Sequence, residues 1–383
     1  MDFRVLPPKA TTVEIALDNT RIPMTPCTGD WWTVDVQEAG PGTDYALRLD
    51  GGQPLPDPRS CWQPHGVYGP SRVLDHGAFP WIGERWQPAP LASAMLDELH
   101  VGTFTLAGTS EAASERLDHV VELGVTHVEL MPVSEFPGGR GWGYDGVDLY
   151  APYHTYGDHD GLKRLVNACY SKGLAVLLDV FYNHLGPTGN YLERFGSYFT
   201  TRHQTPWGPA VNLNGLASEE VRRFFCDNAP MWLRDYHLDG LRLDAVPVLY
   251  RSRRPRVEAI PDPQDPAMFA RSKLDWRESA REPHAGLFTW YRGLIRLQRM
   301  IPALADGRMD QVRAHGDEHA RWLTVERRAI IVACNLATRA QRLPIGREQS
   351  SEALLTSDPM IELNASGAAL PPDSVVVLGP GEP

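Results

Sequence analysis

Apolar residues follow two different rhythms along this chain. Near the start they alternate with polar ones: Val13, Ile15 and Leu17, then Tyr45, Leu47 and Leu49. A period of two buries one face of a strand, which predicts an all-β segment from residue 1 to about residue 85. Asp50-Gly51-Gly52 follows the second run as a turn. Pro54, Pro56, Pro58, Pro64 and Pro70 then predict an irregular wrap. We read this segment as a small β-sandwich. Trp31, Trp32 and Trp62 are more simply packing residues than sugar platforms.

From about residue 97 the rhythm changes to short apolar runs separated by amphipathic stretches. Strands are expected at His100 to Phe104, Val125 to Val133, Ala175 to Phe181 and Gly240 to Val246. Helices are expected at Ser110 to Leu123, Gly161 to Ser171 and Ser218 to Tyr236, with Ser110 and Ser218 as N-caps. Strand-helix-strand succession at this spacing implies a parallel sheet covered by helices.

The succession then stops. Pro247, Pro255, Pro261, Pro263, Pro266 and Pro283 interrupt the next stretch, and no buried-strand run lies among them. A βαβ unit takes roughly 30 residues, so the stretch is too short for several. An amphipathic helix resumes over His284 to Leu304, carrying Leu287, Trp290, Tyr291, Leu294, Ile295 and Leu297. The remainder reads as β again, with strands at Trp322 to Val325 and Ala329 to Cys334 and weaker candidates at Thr356 to Leu363 and Ser374 to Leu378. The expected fold class is α/β: an incomplete (β/α)8 barrel over residues 91–304, flanked by an N-terminal β-sandwich over 1–90 and a small C-terminal β domain over 305–383.

Composition narrows the function classes. The 383 residues carry a formal net charge of −11, which argues against a nucleic-acid partner. No apolar run approaches the roughly 20 residues of a membrane span. The opening residues lack a basic stretch followed by an apolar one, so no signal peptide is expected. Five dispersed cysteines, with no C-x-x-C pair, fit reduced thiols in a cytoplasm.

Chemistry gathers where two of the strands end. Val176, Leu177 and Leu178 lead into Asp179, Asn183 and His184. Asp239-Gly240-Leu241-Arg242-Leu243-Asp244 places Arg242 and Asp244 on one strand face, since residues two apart share a face. Retaining glycoside hydrolysis needs an ionised carboxylate to attack the anomeric carbon and a carboxylic acid to protonate the leaving oxygen. Asp244 fits the first role, with Arg242 positioning it. A structural Arg–Asp ion pair fits the spacing equally well. Gly141 to Gly146 forms a loop after the second strand; taken alone it reads as a Gly-rich turn with Trp142 and Tyr144 as packing anchors, and in a sugar-binding protein Tyr144 is available to stack under a pyranose. Asp158-His159-Asp160 and His315-Gly316-Asp317-Glu318-His319 look like ligands but lack the spacing of a metal site.

These motifs resemble the first signature regions of the α-amylase superfamily and, within it, the malto-oligosyltrehalose trehalohydrolase family. The resemblance extends through Glu98 to Phe104, Gly124 to Val133, Trp142 to Pro152, Pro206-Trp207-Gly208, Pro263-Gln264-Asp265-Pro266 and Ser272 to Trp276. It implies hydrolysis of the α-1,4 bond that joins trehalose to a malto-oligosaccharide. It places Asp244 at the catalytic position, and Asp179, His184 and Arg242 at signature positions that bind substrate, with Tyr144 beside them. No metal or organic cofactor is implied. The chain departs from the family after Val246, where Pro247 stands in place of a histidine. The segment that should carry the general-acid Glu and a second Asp is missing, as after an internal deletion. Glu258 is the carboxylate nearest to where an acid would be sought, but its neighbours read as the lead into Pro263-Gln264-Asp265-Pro266. Impaired hydrolysis is therefore expected. The alternatives are a non-catalytic glucan-binding remnant or a fragmentary gene product.

Overall fold

The computed structural model describes the chain except residues 7–8, 19, 83–85, 206, 246–265, 307, 346–350, 365–366 and 381–383. The described residues form two compact units. One holds 1–89, 96–121 and 126–276, and the other holds 90–95, 122–125 and 277–383.

In the first unit the N-terminal stretch folds into two antiparallel sheets. One orders Thr20–Pro23, Val13–Leu17, Asp44–Leu49 and Ser71–Arg72; the other orders Asp2–Val5, Trp32–Asp35 and Thr25–Pro26. Alternation works as expected: Val13, Ile15, Leu47 and Leu49 are buried, joined by Phe3 and Val5.

The centre of this unit is a parallel sheet of four strands, in chain order across the sheet: Leu96–Leu99, His127–Leu130, Ala175–Val180 and Gly240–Leu243. Val128, Leu130, Val176 and Leu178 are fully buried on one face, where the helix Asp158–Ser171 packs against the third strand. The residues between them point to the other face. Register aligns Glu98 with Glu129, Glu129 with Leu177, and Asp179 with Arg242. Among the described residues no further strand extends this sheet, so the barrel is incomplete. Asp239 anchors the fourth strand: its carboxylate accepts from the backbone N–H of Val176 (2.7 Å) and from the indole of Trp86 (2.7 Å).

Several expectations need correction. The first strand is Leu96–Leu99, and Val101–Phe104 is a short helical turn. His100 closes that strand with its ring held by Tyr156 Oη at 2.8 Å and Thr103 Oγ1 at 3.1 Å. Gly102 belongs to this turn because a Cβ there would come within 2.8 Å of the His100 ring. The cap expected at Ser110 is Thr109, whose hydroxyl accepts from Ala112 N–H. Ser218 is the first helical residue of Ser218–Asp235, not its cap, and its hydroxyl accepts from Arg222. The run expected from Ser110 to Leu123 is two helices, Ser110–Ser114 and Leu117–Leu123. Beyond the fourth strand, Pro247 to Asp265, including Glu258, lie outside the described residues. Ser272 to Trp276 fold back on the start of the sheet: Leu274 N–H donates to Thr103 O (2.9 Å), Lys273 Nζ to Leu106 O (2.7 Å) and Trp276 Nε1 to Phe104 O (2.6 Å).

The second unit contains the helix His284–Met300 and a β domain. Its main sheet is antiparallel, in the order Val312–Asp317, Trp322–Arg327, Ile330–Asn335, Ser374–Pro380, Ser351–Thr356. A smaller sheet of Gln341–Leu343, Gly367–Leu370 and Glu362–Asn364 completes it. Ile331, Ala333, Leu343, Leu370, Val376 and Leu378 form the core. The candidate Thr356 to Leu363 is not one strand: it spans the end of one and the start of another. No helix among the described residues is long and apolar enough to cross a membrane.

Candidate active site

Chemistry in a parallel barrel sits at the C-terminal ends of the strands, and the candidate residues of this chain meet there. Asp179 is the fifth residue of the third strand and is 1% exposed. Its Oδ2 accepts two hydrogen bonds, from Tyr144 Oη at 2.7 Å and from Arg242 Nη1 at 2.8 Å. Its Oδ1 is buried without a hydrogen-bond partner among the described residues. Burial raises the Asp179 carboxyl above its ordinary value, against the pull of the tyrosine hydroxyl and the guanidinium.

Arg242 bridges two strand ends. The nitrogen that reaches Asp179 also donates to Asp244 Oδ1 at 2.6 Å. Asp244 follows the last residue of the fourth strand, and its backbone N–H donates to Val180 O at 3.0 Å. That bond continues the parallel ladder by one residue and fixes where the carboxylate leaves the sheet. Asp244 is partly exposed, so it is accessible to a ligand. A carboxylate oriented by a guanidinium at the open edge of a sheet is suited to nucleophilic attack or to holding a sugar hydroxyl.

Tyr144 lies in the loop after the second strand, with its ring 6.0 Å from that of Phe181. Burial and the Asp179 charge raise its phenol well above the ordinary value, so it donates to Asp179 as a neutral hydroxyl. His184 is buried; its Nδ1 lies 3.0 Å from Asn183 Oδ1, and burial lowers its pKa. The structure thus brings Asp179, Arg242, Asp244 and Tyr144 into one hydrogen-bonded group, with His184 at the same strand end.

Sequence reasoning singled out Trp207 only as part of a matching stretch. In the structure its half-exposed indole stacks on the His184 ring, centroids 4.8 Å apart and planes at 25°. It sits at the turn between Phe199–Thr205 and Gly208–Val211, an antiparallel pair that local pattern did not reveal. Glu98 and Glu129 were missed as neighbours of the group. Arg242 Nε lies 3.9 Å from Glu129 Oε1. The motif Asp158-His159-Asp160 opens a helix, and His159 is buried against the Trp62 ring, a packing role. The cluster around His315 and Asp317 runs along an exposed edge strand.

Residues 91–207 match the family model for the α-amylase catalytic domain, and residues 307–377 match a domain of unknown function, DUF3459. A malto-oligosyltrehalose trehalohydrolase from Arthrobacter ramosus is 47% identical over 255 residues, covering 66% of this chain and 44% of that protein. One from Deinococcus radiodurans is 46% identical over 248 residues, covering 64% and 40%. The chain thus spans less than half the length of these relatives. In fold, the crystal structure of a putative α-amylase from Salmonella typhimurium matches with a TM-score of 0.88 at 23% identity, covering 99% of this chain and 97% of that one. The parallel sheet and the matched segments lead to one assignment: residues 91–207 form part of an α-amylase catalytic domain, and the chain is similar, over about two thirds of its length, to the malto-oligosyltrehalose trehalohydrolases.

Proposed function

We propose that this chain presents the nucleophile half of a trehalohydrolase-type site for an α-glucan ending in trehalose. In this reading Asp244 is the carboxylate directed at the anomeric carbon and Arg242 orients it. Asp179, Tyr144 and His184 line the pocket for the sugar. The observation that carries it is the Arg242 nitrogen shared between Asp179 and Asp244, at 2.8 and 2.6 Å, at the ends of adjacent parallel strands. A merely structural ion pair needs one carboxylate, whereas this arrangement turns a second toward an accessible edge.

Cleavage needs more than this half. In a retaining glycosidase the acid stands about 5–5.5 Å from the nucleophile. Among the described residues Asp244 is joined through Arg242 to Asp179, whose Oδ2 is already taken by Tyr144 and Arg242. Hydrolysis of malto-oligosyltrehalose is therefore proposed as impaired in this chain. A second reading, glucan binding without turnover, is favoured by the exposed face of Trp207 beside His184. The test measures two quantities on the same protein: affinity for malto-oligosyltrehalose by calorimetry, and trehalose release from it. Binding with negligible release supports the half-site. Absence of binding removes both readings.

A further inference from the structure

We propose that Glu98, Glu129 and Asp179 form a binding site for one Ca2+ ion on the open face of the parallel sheet. Glu98 and Glu129 are register partners on the first two strands, so two carboxylates stand directly opposite each other. Like charges in that relation destabilise a sheet. Asp179 on the next strand points to the same face. One carboxylate oxygen from each of the three residues lies within 4.8 Å of the others.

A row of acids alone is no site, and the second observation is the buried oxygen. Asp179 has no exposed side-chain surface, and its Oδ1 has no hydrogen-bond partner among the described residues. Leaving such an atom unpaired costs about 1–3 kcal/mol. A cation in contact with it removes that cost. Arg242 does not serve this purpose: its Nη1 is engaged by Asp179 Oδ2 and Asp244, and its Nε stays 3.9 Å from Glu129. Burial, with Glu98 and Asp179, holds the Glu129 carboxyl above its ordinary value against the pull of Arg242.

The donor set selects the ion. Three carboxylates and no nitrogen or sulfur suit a hard cation. Ca2+ takes several carboxylates in a flexible shell, whereas Mg2+ demands near-ideal geometry and is usually held by only one or two; the three oxygens, all within 4.8 Å of one another, are close enough to share one ion. Glu98 is exposed, so the ion enters from solvent and water completes its shell. This inference does not rest on the glycosidase reading, since it requires neither a general acid nor a bound sugar.

The test is calorimetric titration of the metal-free full chain with CaCl2, with Glu98→Gln, Glu129→Gln and the double variant alongside. The expected result is one Ca2+ per chain with Kd below about 1 mM. Each single substitution should weaken binding at least about tenfold, roughly 1.4 kcal/mol, and the double variant should abolish it. Circular dichroism melts check that every variant is folded. No saturable heat from the folded wild type overturns the proposal. So does binding that survives the double substitution, or a double variant that is more stable than the wild type even in saturating Ca2+.

Discussion

Arg242 holds Asp179 through a 2.8 Å bond that joins a half-exposed guanidinium to a fully buried carboxylate. The two ends of this bond do not tolerate loss equally. Replacing Arg242 with Ala leaves a buried charge without its cation, whereas Asp179→Asn removes the charge and keeps the shape. Burial already raises the Asp179 carboxyl, which further favours the neutral isostere. Arg242→Ala should cost about 1–3 kcal/mol, reduced from the buried-pair range because the arginine is partly solvated, and Asp179→Asn less than half of that. Urea denaturation of both variants measures the difference; equal losses would mean that the pair acts only as a surface bridge.

Trp207 provides a second expectation. Its indole is backed by His184 on one side, and it is 49% exposed. Trp207→Ala should weaken malto-oligosaccharide binding by about tenfold, the effect of losing one stacked aromatic face, while Trp207→Phe retains most of the affinity. Melting temperatures should move little in either variant. Affinity electrophoresis in a soluble glucan would reveal the ranking, and an Ala variant that migrates like the wild type would remove Trp207 from the site.

The pH dependence follows from a buried histidine. Burial lowers His100 to about 4, and its ring is held by Tyr156 and Thr103. The unfolded residue titrates near ~6.5. A depressed folded pKa gives stability that is complete above the unfolded value and is lost as pH falls through the folded one. His100→Gln should therefore be destabilised relative to the wild type at pH ~7.5, with the deficit shrinking as pH falls from ~6.5 toward ~4. The buried carboxyls of Glu135 and Asp148 are raised and act in the opposite direction. For that reason the measurement is the difference between the two proteins, not either profile alone. A deficit constant with pH would contradict the assignment.

Activity is the fourth expectation. General acid catalysis contributes about 10²–10⁴-fold, and Asp179, the carboxyl that shares Arg242 Nη1 with Asp244, is already bound by Tyr144 and Arg242. Trehalose release from malto-oligosyltrehalose should be at least about 10³-fold slower than from an intact relative. Residual release should vanish in Asp244→Asn. Robust turnover that this substitution abolishes would mean that an acid is supplied, with Glu258 or a second copy of the chain as the sources to examine. Turnover unchanged by the substitution would come from a contaminant.

How far the sequence disclosed this structure depended on where the polar groups pointed. The strands Ala175–Val180 and Gly240–Leu243 stood out because apolar runs lead into their polar ends. The first strand was placed too late because Glu98 faces the open side of the sheet and puts charge in the middle of a strand. Val312–Asp317 escaped notice for a similar reason: as an exposed edge strand it has no apolar period. Tyr144, Asp179, Arg242 and Asp244 were legible because each belongs to a local motif. The pairing of Trp207 with His184 was not, since residues 23 positions apart meet only through the tertiary fold. Glu98 and Glu129 were invisible as a pair because strand register, not spacing, makes them neighbours.

The three bonds from Lys273, Leu274 and Trp276 back to Thr103, Phe104 and Leu106 have a consequence for synthesis on the ribosome. They join residues about 170 positions apart, so the flank of the first strand stays open until the chain beyond residue 276 has emerged. The same clasp means that a single cut between residues 246 and 265 leaves both pieces hydrogen-bonded across the sheet. Extra length inserted there would be closed at both ends from the start, and each doubling of such a loop costs only about 0.6 kcal/mol.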